Sequence, residues 1–115
     1  MEKNKAIFFD RDGVLIEAPI VDGKPKSSKY LNQIVLCKNI KEICEKYKNS
    51  YLLIMVTNQP DFKRGINTKK NIEIINGYLK KKLKLDDVFV CYSDDERCFN
   101  RKPNPGMILD AQKKY

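Results

Sequence analysis

The stretch Ala6-Ile7-Phe8-Phe9-Asp10-Arg11-Asp12-Gly13-Val14-Leu15 constrains this chain more than any other. A short apolar run bounded by turn signals reads as a strand buried on both faces, the type that parallel sheets contain. Asp10 then falls at the carboxyl end of that strand, where open α/β sheets bind ligands. Gly13 allows the chain to turn immediately afterwards. Two carboxylates one residue apart repel each other, an arrangement relieved by a cation between them and suited to phosphate chemistry beside it.

Downstream periodicities extend the pattern. Ile40, Ile43, Cys44 and Tyr47 follow the i, i+3, i+4, i+7 spacing of an amphipathic helix within residues 38–49. Tyr51 to Thr57 reads as a second buried strand, and Asn58 to Asn67, with Pro60 and Gly65, as a loop. Thr68 can cap a helix running to about Leu85, with Ile72, Ile75, Leu79 and Leu83 on one face. Gly77 within it costs about 1 kcal/mol relative to Ala. Val88 to Tyr92 reads as a third strand and Ser93 to Asn104 as a loop. Pro105 suits the first turn of a last helix through Ile108, Ala111 and Tyr115. Glu17 to Tyr30, with Pro19, Gly23, Pro25, Ser27 and Ser28, reads as a loop or small flap. The order β-α-β-α-β-α predicts an α/β fold on a parallel sheet, in one domain over residues 1–115.

Composition narrows the chemistry. The sequence contains no histidine, which removes Ser-His-Asp and Cys-His nucleophile systems and His-x-x-x-His metal sites. Acid–base work falls to carboxylates, Lys, Tyr or Cys. The net charge of +8 fits either attraction of anionic substrates or a lysine-rich solvated surface, and Lys80-Lys81-Lys82 fits the latter. No apolar run approaches the ~20 residues of a membrane helix. Five residues precede the first strand, too few for a signal peptide, so a cytoplasmic location is expected.

Three ordered segments carry a resemblance: Asp10-Arg11-Asp12-Gly13-Val14-Leu15, Val56-Thr57-Asn58-Gln59 closing an apolar run, and Arg101-Lys102-Pro103-Asn104-Pro105-Gly106-Met107. Together they resemble the nucleophile, threonine and lysine motifs of the haloacid dehalogenase superfamily. Within it they resemble the branch of histidinol-phosphate and heptose-bisphosphate phosphatases, with polynucleotide 3′-phosphatases as neighbours. The resemblance implies a Rossmann-like three-layer sandwich and Mg²⁺-dependent hydrolysis of a phosphomonoester through an aspartyl-phosphate. It implies Asp10 as nucleophile, Asp12 as general acid, and both as metal-site residues, Asp12 through its backbone carbonyl. Thr57 would bind phosphoryl oxygens and Lys102 would neutralise transition-state charge. Asn58, Gln59, Arg64 and Arg101 would line the substrate side. Each residue alone has a plainer reading: a capping turn for the aspartates, a strand end for Thr57-Asn58, surface charge for Arg101-Lys102.

The implied substrate is a phosphorylated small molecule, a heptose bisphosphate ahead of histidinol phosphate. The alternatives are a polynucleotide 3′-phosphatase and an inactive phosphate-binding or assembly module. Relatives in this branch often hold structural zinc with a Cys-x-His and a Cys-x-Cys pair. Here those positions read Cys91-Tyr92-Ser93 and Cys98-Phe99-Asn100, so zinc is not expected. The resemblance also implies a fourth, carboxylate-bearing motif after the lysine. The sequence reaches Tyr115 without it, so a partial domain, incomplete at the C-terminus, or a degenerate member is expected. The first strand would then lie at a sheet edge, to be covered by self-association or by rearrangement of the last helix.

Overall fold

The computed structural model describes residues 3–115. Met1 and Glu2, part of the segment on which the expectation about a signal peptide rested, lie outside the described residues. Among the described residues no helix is long and apolar enough to cross a membrane.

The main sheet contains β1 (Ala6–Phe9), β4 (Leu52–Asn58) and β5 (Asp87–Cys91), in the order β1-β4-β5. All pairings are parallel, with Phe9 opposite Met55 and Thr57 opposite Val90. The three strands therefore end at one rim, where Asp10, Asn58 and Cys91 come together. Alternation along β4 divides the core, as a pleat requires. Leu53 and Met55 pack with Ile40, Cys44, Ile75, Leu79 and Leu83, which come from α1 (Ile40–Tyr47) and α2 (Lys69–Leu83). Ile54 and Val56 face the other way, onto Met107 and Ala111 of α3 (Gly106–Lys114). Helices thus cover both faces of a parallel sheet, the three-layer arrangement that the resemblance implies.

The second helix follows its sequence signals closely. The Thr68 side chain accepts a hydrogen bond from the Asn71 N–H, and Ile72, Ile75, Leu79 and Leu83 are buried. α3 begins just after Pro105, close to where the sequence places it. Gly106, Met107 and Ala111 face the core, whereas Ile108 and Tyr115 are exposed. The reason is local: the Gly106 N–H donates to Phe99 O at 3.0 Å. A Cβ on Gly106 would stand 2.7 Å from that carbonyl oxygen, so this close approach fixes which side of the helix turns inward.

The segment after β1, expected as a loop or small flap, has regular structure of its own. It contains a two-stranded hairpin, β2 (Ile20–Val21) and β3 (Lys24–Pro25). Asp22 and Gly23 have φ of 53° and 75°, the left-handed pair that a tight hairpin turn requires. The Asp-Gly dipeptide was the available signal.

The strand predicted to be buried on both faces is only half so. Ala6, Ile7 and Phe8 are partly exposed and Phe9 alone is buried. Among the described residues no strand pairs with the outer edge of β1. The last helix has not rearranged to cover that edge; it packs against β5. Between β1 and α3 lies an open trough of about 970 Å³, lined by Phe8, Ile54, Ile108 and Tyr115 among others.

Candidate active site

The turn after β1 separates three consecutive polar side chains. Gly13, at φ 88°, donates its N–H to Ile16 O at 2.7 Å, while the Leu15 and Ile16 amides converge on Arg11 O. This reversal turns Arg11 inward until it is fully buried. Asp10 and Asp12 stay towards the rim, with side chains 51% and 19% exposed.

Burying a guanidinium is costly unless its donors find acceptors. Arg11 Nη1 donates to Asn76 Oδ1 at 3.0 Å and Nη2 to Gln59 Oε1 at 3.1 Å. Its Nε lies 3.3 Å from Asp12 Oδ1. Burial pushes the guanidinium below its ordinary value, and the charge of Asp12 opposes that shift. Gln59, also fully buried, passes the network on through Nε2, which donates to Asp12 Oδ2 and to Thr57 Oγ1, each at 2.9 Å. Ser27 Oγ, just beyond the hairpin, donates to the same Asp12 oxygen at 2.9 Å. Asp12 is therefore braced from three sides.

Lys102 reaches the rim from the loop before α3. Its ammonium pairs with Asp10 Oδ1 and donates to Val56 O at 2.8 Å. Burial lowers its value below that of an ordinary lysine. Asn58 holds this loop against β4: its Nδ2 donates to Lys102 O and its Oδ1 accepts the Lys102 N–H.

The structure thus brings together Asp10, Asp12, Thr57 and Lys102. It gives two other residues duties unlike the substrate contacts expected of them. Gln59 is enclosed and its amide is engaged by Arg11, Asp12 and Thr57, so it braces rather than faces the opening. Asn58 clamps the Lys102 backbone. Arg101 donates from Nη1 to Ser93 O at 2.9 Å. With Lys102 and Glu96 it lines a recess of about 470 Å³. Arg64 is half-exposed on the loop after β4 and pairs with Asp61 at 3.6 Å, outside the central cluster. Sequence reasoning missed Arg11, Ser27 and Asn76 as site residues. The buried Asn76, on the inner face of α2 beside Ile72 and Ile75, was the one readable signal.

The donor set is one for a hard cation. Asp10 and Asp12 offer oxygen at the rim, and Mg²⁺ is commonly bound through one or two carboxylates with its remaining positions filled by water. Both oxygens of Asp12 already accept hydrogen bonds, which leaves Asp10 the freer carboxylate. Elsewhere, Cys98 packs against the apolar cluster that includes the buried Cys91. Among the described residues no group of three or more His, Cys, Asp or Glu side chains is placed to hold a metal ion.

A parallel sheet whose strand ends present this aspartate pair, threonine and lysine is a domain of the haloacid dehalogenase type. The chain belongs to the polynucleotide kinase 3 phosphatase family, whose model matches residues 5–115. It is 33% identical over 123 residues to the D-glycero-beta-D-manno-heptose-1,7-bisphosphate 7-phosphatase of Helicobacter pylori, covering 100% of this chain and 68% of the relative. It is 32% identical to the D-glycero-alpha-D-manno-heptose-1,7-bisphosphate 7-phosphatase of Photorhabdus laumondii, covering 98% of this chain and 66% of the relative. The crystal structure of the D,D-heptose 1,7-bisphosphate phosphatase from B. bronchiseptica, complexed with magnesium and phosphate, superposes with a TM-score of 0.78 at 25% identity. That match covers 96% of this chain and 63% of the other. The chain thus spans about two thirds of the length of these relatives.

Proposed function

We propose that this chain carries the nucleophile-bearing part of a phosphomonoester hydrolase acting on a sugar bisphosphate of the heptose type. The observation that carries the reading is the Asp10–Lys102 pair at the strand rim, beside an Asp12 braced by Arg11, Gln59 and Ser27. Asp10, half-exposed, is the nucleophile: a carboxylate oxygen attacks phosphorus in line and forms an aspartyl-phosphate. Asp12 protonates the leaving alkoxide and then takes a proton from the attacking water. Its Oδ1, whose single partner is the 3.3 Å Arg11 contact, has the capacity to carry that proton. Lys102 sets a positive charge against the phosphoryl oxygens, and the Thr57 hydroxyl, which accepts from Gln59, keeps its own proton to donate. Asp10 and Asp12 would hold Mg²⁺, which when bound supplies positive charge against the phosphate. Arg101 and Arg64 would meet a second anionic group. A cytoplasmic location belongs to the same reading.

The test is hydrolysis of an aryl phosphate with and without Mg²⁺, by the chain and by Asp10→Asn. Mg²⁺-dependent turnover abolished by the substitution supports the proposal. Phosphate-ester binding without turnover at high Mg²⁺ overturns it in favour of an inactive binding module. The family match and the charge of +8 favour a second reading, a polynucleotide 3′-phosphatase. Steep weakening of oligonucleotide binding by salt would select it.

A further inference from the structure

The loops after β4 and β5 carry an aromatic pair to which the chemistry above gives no part. Phe62 closes the short helical turn Pro60–Phe62, just after Gln59, and Tyr92 follows Cys91, the last residue of β5. The Gln59 N–H donates to Cys91 O at 2.7 Å and joins the two loops, so both rings lie beside the braced end of the site. Their centroids stand 5.6 Å apart at 71°, edge to face, and both rings are half-buried. Lys69, the first residue of α2, sets its ammonium 5.0 Å from the Phe62 centroid and 4.9 Å from that of Tyr92. Two rings that share one cation restrict a side chain that is ordinarily mobile. Among the described residues no carboxylate forms an ion pair with this ammonium.

We propose, resting on the hydrolase reading above, that Lys69 binds the distal phosphate of a bisphosphorylated sugar whose other phosphate lies at Asp10 and Lys102. Neighbouring strands lie about 4.8 Å apart, so the ends of β1 and β5, with β4 between them, are separated by about 10 Å. That is the scale of the gap between the terminal phosphates of a heptose-sized sugar. A monophosphate held at Asp10 stops short of Lys69, whereas a bisphosphate engages both ends of the rim. The ammonium meets it without reorganising, since the rings already fix its position. Phe62 and Tyr92 are positioning residues, which act through Lys69 rather than on the phosphate. Lys69 joins Arg64 and Arg101, whose guanidinium groups are already engaged by Asp61 and by Ser93 O.

The test measures, by calorimetry, binding of fructose 1,6-bisphosphate and of fructose 6-phosphate to the full chain in Mg²⁺. The expected result is a preference for the bisphosphate of at least roughly tenfold. Lys69→Met keeps a stem over the rings without the charge and brings that ratio close to one, and Lys69→Arg restores most of it. Tyr92→Leu keeps the charge but removes a ring, and lowers the ratio about threefold. No preference in the unsubstituted chain, or a ratio that Lys69→Met leaves unchanged, overturns the role of Lys69. A ratio unchanged in Tyr92→Leu overturns the positioning role of the rings. A Lys69 dependence confined to an oligonucleotide with a 3′-phosphate overturns the sugar as its ligand. Turnover of an aryl phosphate is scored separately: its absence alongside a Lys69-dependent ratio sinks the hydrolase reading and retains the subsite.

Discussion

Asn58 and Lys102 exchange two hydrogen bonds: Asn58 Nδ2 donates to Lys102 O at 3.0 Å, and the Lys102 N–H donates to Asn58 Oδ1 at 2.9 Å. One side chain at the end of β4 thus satisfies both main-chain groups of the residue whose ammonium faces Asp10. Replacing Asn58 by Ala leaves a partly buried N–H and C=O without their partners. We expect a loss of about 1–3 kcal/mol in urea unfolding, together with weaker binding of inorganic phosphate. Unchanged phosphate affinity would show that the loop holds Lys102 without this clamp.

Arg11 is the costliest residue to change without regard to charge. Arg11→Met fits the cavity but strands Gln59 Oε1, Asn76 Oδ1 and the Asp12 carboxylate. The expected destabilisation is about 3 kcal/mol or more, read as a lower urea midpoint with an unchanged slope. Arg11→Lys recovers only part of it, since an ammonium cannot span acceptors on β4's end, α2 and the turn together. A midpoint within error of wild type for Arg11→Met would contradict the bracing role.

Gly106→Ala tests the close contact that orients α3. Its Cβ would lie 2.7 Å from Phe99 O and 2.9 Å from Asn100 Cα, both in the backbone. Relief requires the loop or the helix to shift, at about 1–3 kcal/mol. Because that loop leads into Arg101 and Lys102, phosphate binding should fall with stability. Gly77→Ala, where a Cβ meets nothing within 4 Å, is the control and should be neutral or stabilising.

Asp87 ties the end of α3 to the start of β5 through Lys114 Nζ and the Tyr115 hydroxyl, both at 2.7 Å. Burial raises its carboxyl, but the bonds from Lys114, Tyr115 and the Val88 N–H outweigh this and hold it below 3.8. Its contribution to stability is therefore complete above pH 3.8 and disappears as pH falls through the lower folded value. Asp87→Asn should unfold at lower urea than wild type at neutral pH, with the gap closing in acid. A gap that does not change with pH would remove the ion pair from the explanation.

Lys102 has the same sign of pH dependence, at the alkaline end of the range. Burial places its ammonium below 10.5, so on raising the pH the folded chain releases that proton before the unfolded chain does. Stability rises with pH across that window while positive charge at the site is lost. Binding of inorganic phosphate, followed by calorimetry, should decline at a pH lower than an ordinary lysine would give. A decline centred at or above 10.5 would refute the shift.

How much of this was legible in the sequence depended on what each residue's neighbours were. The inner face of α2 could be read because Ile72, Ile75, Leu79 and Leu83 repeat at the period of a helix. The strand ends could be read because Asp10 and Thr57 each close an apolar run. The duties of Asn58 and Gln59 could not, since an amide serves a backbone, a neighbouring side chain or a ligand equally well, and only the fold selects among them. The inward course of Arg11 could not be read either, because the Gly13 turn sets it. The inward face of α3 could not be read, because a contact with Phe99, outside the helix, sets it.

The Lys102 ammonium rests on the carbonyl of Val56, and the Gln59 amide N–H rests on the carbonyl of Cys91. Every amino acid brings a carbonyl, so these supports belong to the course of the chain rather than to the identity of residues 56 and 91. Substitution at either position can change packing but cannot delete the acceptor. The rim is therefore tolerant of change in the strands beneath it, and its vulnerability is concentrated in the few side chains, Arg11, Asn58 and Gln59, whose partners no backbone can replace.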